Sequence, residues 1–175
     1  MSDVTDSDAV ALLKNDLLDS ARVLHDSGIP TEILANYIAA QRRWGIRSGP
    51  VLRPVSRVWR LGVLLLDVDG NLYETGALIR ATAVGRPQNL SLSVEERRAY
   101  RAAAERGRIA PGETVNFNAR CVTLTASALH EVDHTLFVRN GTTWVRWSSR
   151  SSEPREAREY IAERVAFLLS PTEGS

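Results

Sequence analysis

Four features of the 175-residue chain carry side chains with chemical potential. The first is His130-Glu-Val-Asp-His134. Wound into a helix, that string sets two imidazoles one turn apart on one face, where both reach a single Zn²⁺. Glu131 beside the first then takes a proton from metal-bound water. The second is Asp67-Val-Asp69-Gly-Asn71, two carboxylates at the end of an apolar run. The third is the single thiol, Cys121, nine residues before His130 and a candidate for thiol–imidazole pairing. The fourth is electrostatic. From Tyr37 to Leu64 there are six arginines (Arg42, Arg43, Arg47, Arg53, Arg57 and Arg60) and no acid, with Trp44 and Trp59 among them. Arginine interleaved with tryptophan binds phosphates, stacks on bases and anchors protein partners.

The histidine string resembles the zinc-peptidase signature. That resemblance implies His130 and His134 as ligands, Glu131 as general base, and Glu153, with 18 residues between it and His134, as a third ligand. The peptidases place uncharged residues at the two variable positions of a buried helix, and here Asp133 occupies one. They also need about three turns of unbroken helix. His134 instead runs at once into Thr-Leu-Phe-Val and the Asn140-Gly141 turn, so it is expected to begin a strand, with the two rings on different elements. Leu64 to Leu72 resembles the first motif of haloacid-dehalogenase-type phosphatases, which implies a nucleophilic Asp67, an acid/base Asp69 and magnesium. Asn71 departs from that motif, no lysine follows Asp67, and the sole aspartate after Asp69 is Asp133. The second half of the phosphoryl-transfer machinery is missing, and a turn whose carboxylates cap backbone amides is expected. Cys121 alternates with Phe117 and Ala119, which predicts a small core residue of low reactivity. There is no GxSxG, SxxK or glycine-rich phosphate loop.

The elements that must position these residues read as follows. Ser7 or Asp8 caps a first helix whose stripe is Val10, Leu13, Leu17, Ala21 and Leu24, ended by Gly28 and Pro30. Thr31 caps a short second helix carrying Ile33, Leu34 and Ile38. Val58–Leu66 and Leu72–Ala81 form a hairpin about Asp69-Gly70. Ser93-Val-Glu-Glu96 is a capping box for a helix ending at Gly107. Glu113–Thr125 is a strand, and Thr135–Trp147 is a hairpin about Asn140-Gly141. Pro154 opens a last helix carrying Ala157, Ile161, Val165 and Leu168. The sum predicts an α+β fold, an antiparallel sheet of about five strands with helices packed on one face. A single domain 1–175 is expected, divided into an N-terminal helical segment 1–40, a basic connecting segment 41–57 and an α+β core 58–170.

Composition narrows the function classes. At 43% hydrophobic and 25% charged, the chain is neither disordered nor a polyelectrolyte. One cysteine forbids an internal disulfide and an all-cysteine zinc site. Met1–Asp8 is acidic and polar, unlike a signal or transit peptide. No apolar run approaches the roughly 20 residues of a membrane helix. A cytoplasmic protein without a membrane partner is expected. Of the 22 basic residues, only Lys14 is lysine. Met1–Asn36 holds seven acids against Lys14 and Arg22, net −5, while Tyr37–Leu64 is net +6. Adjacent blocks of opposite sign suit pairing within the chain, and a total of +1 makes nucleic acid the less favoured partner.

Four stretches taken together are similar to small uncharacterised actinobacterial proteins of like length, some of which carry a glutaminase label. They are Val58–Leu66, Gly85-Arg-Pro-Gln88, Ser93–Arg98 and Gly112–Arg120. The resemblance implies no mechanism. A serine-type glutaminase needs SxxK, and a cysteine-type amidotransferase needs its thiol on a glycine-flanked elbow, whereas Cys121 stands between Arg120 and Val122.

The residues therefore favour a domain without its own catalytic centre or cofactor, binding a protein or small ligand through Arg42, Arg43, Trp44, Arg53, Arg57 and Trp59. The alternatives are a zinc peptidase (Glu131 catalytic; His130, His134 and Glu153 on zinc) and nucleic-acid binding through the 42–60 segment.

Overall fold

The computed structural model describes residues 2–43, 46–81, 92–130, 134–148 and 153–170. The chain opens with α1 (Ser2–Asp26), β1 (Glu32–Ile38), β2 (Gln41–Arg43), β3 (Ile46–Ser48) and β4 (Val51–Leu61). Next come β5 (Leu64–Asp67), β6 (Leu72–Glu74), β7 (Ala77–Arg80) and α2 (Leu92–Arg106). Then follow β8 (Thr114–Phe117), β9 (Arg120–Cys121), α3 (Ala126–Leu129), β10 (Leu136–Arg139), β11 (Thr142–Val145), β12 (Arg155–Glu156) and α4 (Ala157–Leu169). No described helix is long and apolar enough to cross a membrane.

The fold is mixed helix and sheet, but the sheet differs from the expected five antiparallel strands. The largest sheet has seven strands in the order β7-β8-β1-β4-β5-β6-β9, and it is mixed. β1 runs parallel to β8, with Ile33 beside Val115 and Ala35 beside Phe117. The cause lies in residues 32–38, expected as a helix and found as β1. A segment that short cannot nucleate a helix without a partner. Ile33, Tyr37 and Ile38 suit a pleated strand, and β4 on one side and β8 on the other satisfy its backbone.

Two other expected strands are broken by left-handed residues. Gly62 (φ 67°) divides β4 from β5, and Asn118 (φ 54°) separates β8 from β9. The chain forms two compact units whose boundaries do not follow the expected 1–40, 41–57 and 58–170 division. Most of the 41–57 stretch is strand rather than connector.

The first unit comprises Met1–Thr31, Trp59–Glu74 and Arg120–Ser175. The predicted stripe of α1 is buried, each residue 3% exposed or less. At its end Gly28 (φ 66°) donates to the His25 carbonyl and Ile29 to that of Leu24, a Schellman stop. The stripe packs with Leu64, Leu66 and Leu72 of the sheet, Leu136, Val138 and Val145 of the hairpin, and Ala157, Ile161 and Val165 of α4. Asn140 and Gly141 both have positive φ at the β10–β11 turn, as their sequence predicts.

The second unit comprises Glu32–Val58 and Thr75–Ala119. Its core is Ile33, Ala35, Leu52, Ile79, Val115 and Phe117 from the strands with Ala103 and Ala104 of α2. Gly107 follows α2 as expected, yet the left-handed residue is its neighbour Arg108 (φ 57°). The glycine is needed for approach instead, because a Cβ there would lie 1.8 Å from the Leu52 carbonyl oxygen. The expected cap at Ser93 concerns a side chain outside the described ones.

Candidate functional site

Helix α3 ends at Leu129, and His130 is its C-cap. The His130 Nε2 lies 2.9 Å from Asp6 Oδ2, a carboxylate supplied by α1. Asp6 is buried and also accepts the Gly141 N–H at 2.5 Å. The His130 hydrogen bond first, and the Gly141 N–H second, hold its carboxyl below the ordinary carboxylate range. His134 stands outside α3, before β10, and its Nδ1 lies 3.7 Å from Glu74 Oε1. The two rings thus meet different carboxylates. Glu153 is exposed ahead of β12, and Glu131 falls outside the described residues. Among the described residues no group of three His, Cys, Asp or Glu side chains is placed to hold a metal ion.

The carboxylate pair at 67–69 does turn chemistry. Asp67 is 2% exposed and accepts from the Asp69 N–H (3.0 Å), the Asn71 N–H (2.8 Å), the Asn71 side-chain amide (3.0 Å) and the Tyr73 hydroxyl (3.1 Å). Burial, and then the Asp67 charge, push the Tyr73 phenol up to about 12. A carboxylate with four donors around it has its lone pairs committed.

A small cavity of about 200 Å³ in the first unit is walled by Glu74, Arg120, Cys121, Thr123, Leu129 and His134. Glu74 is its hub. Its Oε2 accepts Nε (3.1 Å) and Nη2 (2.6 Å) of Arg120, and its Oε1 accepts the Thr135 N–H at 2.8 Å. The carboxylate so clamps β6, β9 and the approach to β10. Cys121 is exposed, not the core residue its alternation predicts, because Asn118 breaks the strand before it. Cys121 opposes Tyr73 and Arg120 opposes Glu74 across the antiparallel pair. Opposed residues share a face and successive ones alternate. The thiol therefore leaves β9 on the face opposite Glu74, away from the carboxylate beside His134. Sequence reading misses this cluster, since Glu74 lies 46 residues from Arg120 and 61 from Thr135.

No family model, curated protein or solved structure matches the chain. Its function has to be read from its own surfaces.

Of the expected binding residues, Trp59 is a correction. It is 2% exposed in the core of the first unit, and its indole N–H donates to the Ile29 carbonyl at 2.9 Å. A side chain consumed by the core cannot anchor a partner. Trp44, and the side chains of Arg42 and Arg43, lie outside those described. Arg53 is exposed on β4. Arg57 makes a bidentate pair with Glu113 at 2.9 and 3.1 Å. Two acids of α1 have other cations, Asp16 meeting Arg158 and Asp19 meeting Arg22.

Between Arg57 and Arg108 an open groove of about 490 Å³ is lined by Ile33, Pro54, Val55 and Ile109. Its rim follows from the sequence of β4. Pro54 has no N–H to give a ladder. Leu34 pairs with Ser56 and Ala35 with Pro54, so Val55 is an extra, bulged residue, 51% exposed. Charge divides sharply between the units. The second holds 12 arginines, no lysine and five acids, net +7, while the first holds ten basic and 16 acidic residues, net −6.

Proposed function

We propose that the chain acts by binding, and that its second unit takes an anionic partner on the groove surface carrying Arg57 and Arg108. The observation behind this reading is the +7 of that unit, which the chain's total of +1 conceals. Guanidinium groups hold carboxylates and phosphates in bidentate fashion. The mixed groove beside Arg57 and Arg108 adds an apolar floor that a bare charge patch lacks. The zinc-peptidase alternative has less support, since His130 Nε2 lies 2.9 Å from Asp6 and His134 Nδ1 3.7 Å from Glu74, two different carboxylates.

The test is retention on immobilised heparin at low salt. The wild-type chain is expected to bind and to elute as salt rises. Arg108→Asn is expected to elute earlier with an unchanged circular-dichroism spectrum. Asn suits the left-handed backbone at 108. Arg57 is left alone because reversing it sets two carboxylates together at Glu113. Flow-through of the wild type at low salt would refute the reading.

A further inference from the structure

We infer that the groove between Arg57 and Arg108 takes a single aliphatic carboxylate, its head on Arg108 and its tail along the apolar floor. The inference rests on the anionic-partner reading above and names the chemistry of that partner. Three observations carry it.

The first is how the groove is held open. The connection from Gly107 to Glu113 is tied to β4 at both ends. At one end Gly107 meets the Leu52 carbonyl so closely that only a glycine fits, and Arg106 Nε donates to the Pro50 carbonyl at 2.7 Å. At the other end Arg57 holds Glu113 by two hydrogen bonds. Leu52 and Arg57 are at most about 16 Å apart along the strand. Between the two ties no backbone hydrogen bond joins the segments among the described residues. Pro54 has no N–H to offer and Val55 is bulged, so this part of β4 presents no regular ladder onto which the connection could zip.

The second is charge. The lining holds two guanidinium groups, Arg57 and Arg108, and one carboxylate, Glu113: two minus one, net +1. Glu113 is paired with Arg57, and no carboxylate among the described residues pairs with Arg108. A surplus of one charge suits one carboxylate, whose plane matches the guanidinium fork. A phosphate monoester brings about −1.5 to −2 and would set its excess beside Glu113.

The third is the floor. Ile33 and Ile109, each 7% exposed, line it with Pro54, Val55 and Ala110. All five are aliphatic. The unit's large aromatics are used elsewhere: Phe117 is fully buried, and Tyr37 and Tyr100 pack on it with ring centroids 6.3 and 4.7 Å away. An alkyl tail gains from burial by area alone, whereas a flat aromatic ligand finds no ring here to stack on. The volume of about 490 Å³ is that of a small-molecule site.

The experiment titrates the full-length chain by calorimetry with butyrate, hexanoate and octanoate, and with octanol as the same tail without charge. Affinity is expected to rise about threefold for each CH₂ from butyrate to octanoate. Octanol should bind about tenfold more weakly than octanoate, or worse. Arg108→Asn should weaken octanoate by about tenfold. Val55→Ser, at an exposed position, should weaken octanoate about threefold and leave butyrate unchanged. It is the independent second variant should the first fail to fold. Retention on heparin with octanoate bound no more tightly than butyrate overturns this inference and leaves the anionic-partner reading standing. Octanol binding as tightly as octanoate overturns the inference, as does a folded Arg108→Asn chain with wild-type octanoate affinity. Absence of both heparin retention and carboxylate binding overturns both.

Discussion

Glu74 shows how one side chain can matter more than a motif. It accepts from Arg120 and the Thr135 N–H and faces His134, and it is nearly buried. Glu74→Gln keeps an acceptor but loses the charge assistance and turns an amide toward a cation. A loss of about 1.5–3 kcal/mol is expected in urea unfolding. Asp6 makes a pH-dependent contribution whose sign follows from its lowered carboxyl. A folded-state value below the unfolded one stabilises fully above the unfolded value, about pH 4, and is lost as pH falls through the folded value. Asp6→Asn should therefore melt below wild type at pH 7, and the gap should narrow as melts are repeated toward pH 3. Neither residue stands out in the sequence, because its partners come from distant parts of the chain. Several residues that do stand out there are spent otherwise: Asp67 on its own turn, Trp59 on the core, and His130 on Asp6.

At the level of elements, local signals were legible where one residue decides the backbone. Gly28 ends α1, Asn140-Gly141 turns the last hairpin, and the α1 stripe is buried as its period demands. Residues 32–38 were not legible as a strand, since Ile33, Leu34 and Ile38 fit a helical period and the deciding partners lie on β4 and β8. The end of α2 is subtler. Gly107 looks like the left-handed cap, yet contact with the Leu52 carbonyl claims the glycine and shifts the left-handed turn to Arg108. Two opposite effects are expected from neighbouring substitutions. Gly107→Ala drives its Cβ into backbone and should cost about 3 kcal/mol or more. Arg108→Gly relieves a strained φ and should raise stability by about 0.5–1 kcal/mol, both read from thermal unfolding.

For the whole molecule, composition is a poor guide because it averages over the units. A pI near 8.0 suggests weak interaction with either ion exchanger at neutral pH. Net charges of −6 and +7 on separate units predict retention by both a cation and an anion exchanger at low salt, each reversed as salt screens the charge. Passage through both columns would show that the two charges offset each other at the surface. The division escapes a linear reading because the basic unit is assembled from residues 32–58 and 75–119, and the first stretch alone sits beside an acidic helix in the sequence.

The parallel pairing of β1 with β8 also sets a clock on synthesis. Ile33 waits for Val115, 82 residues later. At about 5–20 residues per second, the ribosome delivers that partner roughly 4–16 s after Ile33 itself is made. Through that interval the nascent chain carries one flank of an apolar strand with its amides unclaimed, a stretch that a chaperone would recognise and that crowding neighbours would find first.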